Sequence, residues 1–278
     1  MPAPMFKELQ PDTLLIIGAR IDQISHSDEA SLFDWLDKEE RFRLADLRFA
    51  CHRREFLLAH GLARWTLARC LDRHPADVHI LYEPYGKPYL PRADKLAFSL
   101  AHTTDGVVCA IAYADRVGVD IEAIQRTTPV GELAPDYCTR LERESLSALV
   151  PELVEPTFLR WWTVKESYMK ADGRGLGIHP AAICCAQPAG GDSFPLGLAD
   201  DLYASRPAVS CQGAVGSAWN SHWLAWTVFA GQSPFQSVYL QWFGGNRILS
   251  LRIHDEWRFS RVSGMRDKDC VSKRQPGN

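Results

Sequence analysis

The stretch "WWTVKESYMKADGRG", Trp161 to Gly175, constrains the fold more than any other part of the sequence. At about 100° per residue its apolar positions Trp161, Trp162, Tyr168 and Met169 join Phe158 on one face of a helix, with Lys165 inside that face and Glu166 at its edge. A buried ammonium or carboxylate without a partner costs several kcal/mol or neutralises, so the fold must bring a counter-charge, an ion or a ligand to this stripe. Thr157 is the expected cap of the helix, and Gly173 its end.

With 278 residues, 46% of them hydrophobic, the chain can bury one large core or two of ordinary size. The formal net charge of −3 gives no bulk attraction to nucleic acid or to an anionic membrane, so an anion site must be local. No run approaches the roughly 18 apolar residues of a membrane helix, and "MPAPMFKELQPDTLLIIGARID" has no basic flank or cleavage site; a cytoplasmic protein is expected. The eight cysteines include no CxxC pair and are expected to be free thiols. The histidines show no HExxH spacing, which leaves zinc unsupported.

Along the chain, "DEASLFDWLDKEERFRLADL" reads as one helix and "RREFLLAHGLARWTLARCL" as a second. The runs "VHILYEPYGKPYL" and "LAFSLAHT" read as strands that pair with each other. "GVVCAIAYADRVGVDIEAI" reads as two alternating strands joined in a hairpin at Asp115-Arg116. A short helix over 142–150 and the long helix follow, then the strand runs "AAICCA" and "HWLAWTVFA". Helix-then-strands therefore occurs twice. The expected class is α+β, two similar α/β subdomains over 1–115 and 116–231 with a site at their junction. Residues 232–278 show no clear period, have no assigned role and end in a segment expected to be poorly ordered.

In "VGVDIEAI", Val117, Val119 and Ile121 point to one side of a strand, so Asp120 and Glu122 point together to the other. With Glu166 from the helix, three carboxylates would repel unless a cation lay among them. Oxygen donors and a phosphate-bearing substrate suit Mg²⁺, with Mn²⁺ as the alternative. "EPYGKPYL" sets Lys87 between Gly86 and Pro88 in a turn, either as a phosphate ligand or as an ordinary turn lysine. Lys170, four residues after Glu166, is either part of a helical ion pair or a group at the site. His102 ends a strand, as a core histidine or as a ligand contact. "GRGLG" at 173–177 lacks the order of a dinucleotide loop or of a Walker motif, and no GxSxG is present, so the nucleophile is expected on a substrate.

Taken in order, "GKPYL", "FSLAHTT", "VGVDIEAI" and "WWTVKESYMKADGRGLG" resemble the 4′-phosphopantetheinyl transferases, over roughly residues 12 to 230. The likeness is to the long, single-chain, pseudo-dimeric branch, which activates carrier proteins of nonribosomal peptide, polyketide and fatty acid synthesis. It implies pseudo-twofold symmetry, coenzyme A at the junction as co-substrate, and Asp120, Glu122 and Glu166 holding Mg²⁺. The mechanism expected on this basis has Glu166 as candidate base, directly or through a metal-bound water, Lys170 as candidate acid or electrostatic partner of the leaving phosphate, and Asp120 as the third catalytic residue. Gly86, Lys87, Pro88 and His102 would lie against the coenzyme, Lys165 would meet its phosphates, and Arg41, Arg43, Arg53 and Arg54 are candidates for the 3′-phosphate, with Arg54 and Arg41 preferred. Apo acyl and peptidyl carrier proteins are the implied partners of a monomer that binds neither nucleic acid nor membrane. Two departures from the family pattern, Ser99 and Ala101 before His102, remove a small polar contact to the coenzyme. The competing expectations are a noncatalytic coenzyme A or carrier-protein binding module and a Mg²⁺-dependent pyrophosphatase.

Overall fold

The computed structural model describes residues 9–91, 96–124, 128–185, 196–198, 210–219, 221–230, 237–242 and 252–261. Two sheets face each other, and each carries one long helix on its outer side. The first sheet has the order β11-β1-β5-β4, with β1 Thr13–Arg20, β4 Leu96–Thr103, β5 Gly106–Tyr113 and β11 Ser237–Trp242. The second has the order β6-β10-β9-β12-β8-β7, from β6 Arg116–Ala123, β7 Ile183–Cys184, β8 Leu196–Leu198, β9 Ser210–Ala218, β10 His222–Ala230 and β12 Arg252–Arg261. Leu14, Ile16, Val108 and Ala110 of the first sheet meet Val117, Val119, Leu224 and Trp226 of the second in a shared core.

The outer faces are covered by helices of equal length. α3, Ala50–Leu71, packs Leu58, Leu62 and Leu67 against Leu15, Phe98 and Ile111. α6, Pro151–Asp172, packs Leu159, Val164 and Tyr168 against Val215, Ala225 and Phe229. Each fully buried Leu, Ile, Val or Phe in these layers contributes about 1.5–3 kcal/mol.

Several sequence expectations give way here. The first helical run is two helices, α1 His26–Trp35 and α2 Lys38–Asp46, because Asp37 caps α2 in a reciprocal box with Glu40 and the backbone extends at Leu36. Between α3 and β4, β2 Leu81–Tyr82 and β3 Pro88–Tyr89 pair with each other and not with β4. No hairpin forms at Asp115-Arg116. β5 is buried along nearly its whole length and pairs with β1 and β4, while β6 joins β10 in the other sheet. A strand buried on both faces and paired on both edges has no free edge for its successor. The long helix begins at Pro151, six residues before the expected cap Thr157, and runs through Pro156.

The segment that lacked a readable period contributes β11, parallel to β1, and β12, antiparallel to β9. Residues 262–278 lie outside the described residues. Among the described residues, no helix is long and apolar enough to cross a membrane.

Candidate active site

The outer face of β6 and the inner face of α6 touch at Gly118. A Cβ there would overlap the Ser167 carbonyl oxygen and the Ala171 nitrogen, so only glycine lets the helix lie this close to the strand. The contact fixes the relative height of the two elements. Lys170 Nζ donates to Asp120 Oδ1 at 2.5 Å, and Trp162 Nε1 donates to Glu122 Oε1 at 3.1 Å.

Asp120 is 5% exposed, and its second oxygen, Oδ2, is buried with no hydrogen-bond partner. Burial, helped by the Glu122 and Glu166 carboxylates and opposed by Lys170, raises the Asp120 carboxyl to about 7. Burial and Glu122 also raise Glu166. Lys170 responds in the opposite sense: burial would lower its ammonium, but Asp120 and Glu166 together outweigh burial and hold it above the usual lysine range.

Among the described residues, no group of three His, Cys, Asp or Glu side chains is already assembled as a metal site. The donor chemistry nevertheless fits a hard divalent cation: an orphaned buried carboxylate oxygen, with two further carboxylates near enough to raise its pKa.

At the C-terminal end of α6 a cavity of about 270 Å³ opens, with Arg43, His60, Tyr82, Lys87, His102 and Lys170 on its walls. Gly86 and Pro88 line it through the turn between β2 and β3, Gly86 at a φ of 83°. Five of the six side chains named carry or can carry positive charge, which suits an anion. Arg43 lies over the rings of Phe56 and Tyr82, and His60 stacks on Phe56 with its Nδ1 2.9 Å from Glu40. The Tyr82 hydroxyl is buried without a partner, and burial plus the Glu40 charge push it up to about 12. His102 stands 3.7 Å from Glu55, and partial burial with the Lys170 charge lowers its pKa.

Lys87 lines this cavity, but its ammonium is turned into the fold, donating to the Val117 and Lys170 carbonyls at 2.7 Å each. It thereby joins β6 to the last turn of α6. Arg116 does the same for the Asp172 carbonyl at 2.8 Å, and cations at a helix C-terminus answer its unpaired carbonyls and its dipole. Burial, and then the Arg116 charge, bring Lys87 down to about 7.

Three residues expected at a phosphate are placed elsewhere. Lys165, 1% exposed, donates to Glu142 at 2.7 Å and to the Tyr137 carbonyl at 2.8 Å, so a carboxylate of the protein answers its charge. That carboxylate belongs to α5, Arg140–Ser147, where Glu142 also accepts from Thr139 N and Cys185 N, both at 2.7 Å. Arg41 caps the end of α1 through the Leu36 and Asp34 carbonyls, and Arg54 is held by Glu29 at 2.6 Å and by the Ile24 carbonyl. Helix ends and a carboxylate claim both guanidinium groups, and neither lines the cavity. Arg53 is likewise turned to the Leu47 and Arg48 carbonyls. Of the early arginines considered, Arg43 reaches the cavity wall.

The two departures before His102 also have structural roles. Ser99 Oγ accepts from Val119 N at 3.2 Å, joining the adjacent edges of β4 and β6, and Ala101 is buried between the sheets.

Sequence reasoning missed His60 and Tyr82. His60 was legible as the i+4 partner of Phe56, on whose ring it stacks. A second cavity, about 140 Å³, lies between α6 and α4, Val130–Tyr137, and is lined by Thr128, Leu133, Tyr137, Phe158, Leu159 and Trp162.

Gly118→Ala is expected to lift α6 off β6. Overpacking of this kind costs about 1–3 kcal/mol, and a displacement near 1 Å at the Asp120–Lys170 pair costs about 10²-fold in rate. Thermal unfolding and kcat measured on the same preparation check this, and parental values of both would refute it.

A profile of the 4′-phosphopantetheinyl transferase superfamily matches residues 116–212. The chain is 32% identical to the 4′-phosphopantetheinyl transferase HetI of Nostoc sp. over 181 residues, 63% of this chain and 75% of that protein. It is 28% identical to a phosphopantetheinyl transferase of Thraustochytrium sp., covering 70% and 77% of the two chains. With the 4′-phosphopantetheinyl transferase Sfp of Bacillus subtilis it shares 26% identity over 59% of this chain and 72% of that one.

Proposed function

This chain belongs to the 4′-phosphopantetheinyl transferase superfamily, and from that premise we propose that it moves phosphopantetheine from coenzyme A to a serine of apo acyl or peptidyl carrier proteins, releasing adenosine 3′,5′-bisphosphate. The observation that carries the residue assignment is the Asp120–Lys170 pair, with its orphaned carboxylate oxygen, whose lysine lines a cation-lined cavity. Asp120, Glu122 and Glu166 would hold Mg²⁺, which when bound neutralises and polarises the pyrophosphate.

The chain's own groups do the rest. Arg43, His60 and His102 receive the nucleotide end and its 3′-phosphate in the cavity. Glu166, whose pKa is raised toward that of a general base, accepts the serine proton as the serine oxygen attacks the β-phosphorus. Lys170, held cationic by its carboxylate neighbours, meets the charge that builds on the departing bisphosphate as its bond to phosphorus breaks.

Similarity between the halves 1–115 and 116–231 belongs to the same proposal. In each, a first strand precedes three helices, the last of them 22 residues long. In each, a glutamate at the third position of a capping box accepts a buried cation from that long helix, Glu40 from Arg64 and Glu142 from Lys165. The strand orders β1-β5-β4 and β6-β10-β9 also correspond. Residues 232–278 add a strand to each sheet, and a monomer fits a site built within one chain.

Incubation with coenzyme A, Mg²⁺ and apo carrier proteins of the peptide-synthetase and fatty-acid types, followed by intact-mass measurement of the acceptor, tests the reaction. A phosphopantetheine-sized gain that needs both Mg²⁺ and the acceptor serine is expected. Coenzyme A cleavage without an acceptor would indicate a pyrophosphatase, and binding without any transfer a noncatalytic module. Lys87→Met is expected to raise the KM for coenzyme A about three- to tenfold with a modest loss of kcat, since the carbonyls of Val117 and of the wall residue Lys170 lose their donor. An unchanged KM would refute that expectation.

A further inference from the structure

We propose that His222 is a positioning residue for transfer: through Asp105 it sets the angle between the two sheets, and so the distance from the cavity walls of the first half to the carboxylates of the second. The proposal rests on the transferase reading above.

A short connection at one end keeps two sheets together but leaves the angle between them to contacts farther along. β5 and β6 have eight residues each, so at about 3.4 Å per residue their far ends stand roughly 27 Å from Ala114 and Asp115. Between the sheets lies an apolar core, and apolar contact has no preferred direction. Ser99 adds its hydrogen bond to Val119 at mid-length. At the far end two turns meet.

Asp105 lies in the turn from β4 to β5, and His222 opens β10. His222 is 1% exposed, with Nε2 2.9 Å from Asp105 Oδ1 and Nδ1 2.8 Å from Ser221 Oγ. Arg20 approaches the other Asp105 oxygen at 3.5 Å and lies over the Trp219 ring. Trp219 has a left-handed φ of 51°, uncommon for a residue with a side chain and kept only where the surroundings hold it. Its ring meets His222 edge-on and covers Gly106, where a Cβ would come within 2.5 Å of it. The two sheets therefore interlock at Gly106 as well as at Asp105.

Each turn is also anchored to its own sheet. Ile21 N donates to the Asp105 carbonyl at 2.9 Å, and Ile124 N donates to the Ser221 carbonyl at 2.8 Å. A shift at the interlock is thus passed on to both sheets. Three residues before Asp105, His102 stands on the cavity wall, and the ladder partner of His222 is Ala123, next to Glu122. The substrate assigned above spans the same gap, with its nucleotide end at Arg43, His60 and His102 and its pyrophosphate at Asp120, Glu122 and Glu166. His222 acts on it only through the strands that carry His102 and Glu122.

The test compares transfer kinetics and thermal unfolding of the full chain for three variants. His222→Phe keeps a flat ring without either nitrogen, His222→Gln keeps an amide N–H that can reach Asp105, and Asp105→Ala removes the acceptor. In saturating Mg²⁺, well below the unfolding midpoints, His222→Phe and Asp105→Ala are each expected to lower kcat per folded molecule about tenfold or more, as a misplacement of less than about 1 Å would. The KM for the carrier protein is expected to stay within about twofold of the parent, and His222→Gln to recover kcat to within about threefold. Combining His222→Phe with Asp105→Ala is expected to cost no more than the worse single variant, because both break one link.

Parental kcat in His222→Phe or in Asp105→Ala, whatever the midpoint does, overturns the proposal, since the pair is then structural only. Losses that multiply in the double variant, or a His222→Gln protein as slow as His222→Phe, overturn it as well. If His222→Phe does not fold, Asp105→Ala decides, its carboxylate being 39% exposed. A parent that modifies no acceptor overturns the transferase reading, and this inference with it; a parent that transfers beside variants that match it overturns this inference alone.

Discussion

Asp120→Ala is expected to lower kcat/KM for transfer about 10³-fold while leaving the metal-free protein as stable as its parent or more so. The loss follows from geometry. Asp120 supplies the partner of Lys170 and the orphaned oxygen that a cation would satisfy, and no other described side chain is hydrogen-bonded to Lys170 Nζ. The stability follows from charge. A carboxyl that burial and neighbouring carboxylates raise from 3.8 to about 7 holds its proton better in the folded chain than in the unfolded one. Such a group takes stability away as pH rises from the lower value through the higher, so the alanine protein should lose less stability over that window.

Glu166→Ala is expected to remove transfer as well. Addition of Mg²⁺ should raise the thermal midpoint of the parent and not that of the Asp120 variant. Full activity in either variant would sink the metal assignment.

The second large effect lies away from the chemistry. Glu142→Ala is expected to cost about 3–5 kcal/mol, because it strands a fully buried ammonium and leaves the Thr139 and Cys185 amides unpaired. At about 2–4 °C per kcal/mol for a protein near this size, the midpoint falls by roughly 10 °C. The double variant Glu142→Leu with Lys165→Met removes both charges and is expected to recover a large part of the loss. A single variant within 1 kcal/mol of the parent would show that water reaches Lys165. Retention of kcat per folded molecule separates this structural role from a phosphate contact.

Much of this fold was legible from local pattern. β4 runs over the residues its composition suggested, and the alternation in β6 puts Val117, Val119 and Ile121 into the core between the sheets. What failed was nonlocal. "GVVCAIAYADRVGVDIEAI" reads as a hairpin because two strand-like runs flank a polar pair, yet the choice of edge depends on β1, β4 and β10, which are remote in sequence.

Lys165 shows the same limit at a single residue. The stripe correctly demanded a partner, but a dianion and a carboxylate satisfy that demand equally well on paper. The deciding signal was the Thr139-x-x-Glu142 capping box, whose glutamate closes its own helix and also neutralises the next one. Arg41 and Arg54 went astray for a related reason, since charge content alone does not say which helix ends will recruit a guanidinium. The need for glycine at 118 comes from the helix packed on it and not from the strand that carries it.

The passage from one sheet to the other takes only two residues, Ala114 and Asp115, between the end of β5 and the start of β6. With so short a strap, the cation-lined cavity cannot drift from the carboxylates unless β5 or β6 peels from its ladder. Their encounter is intramolecular, at a high effective concentration set by covalent geometry. Where a site is shared between separate chains, dilution dissolves it; the proposed site instead draws its two parts from strands that one short covalent strap joins.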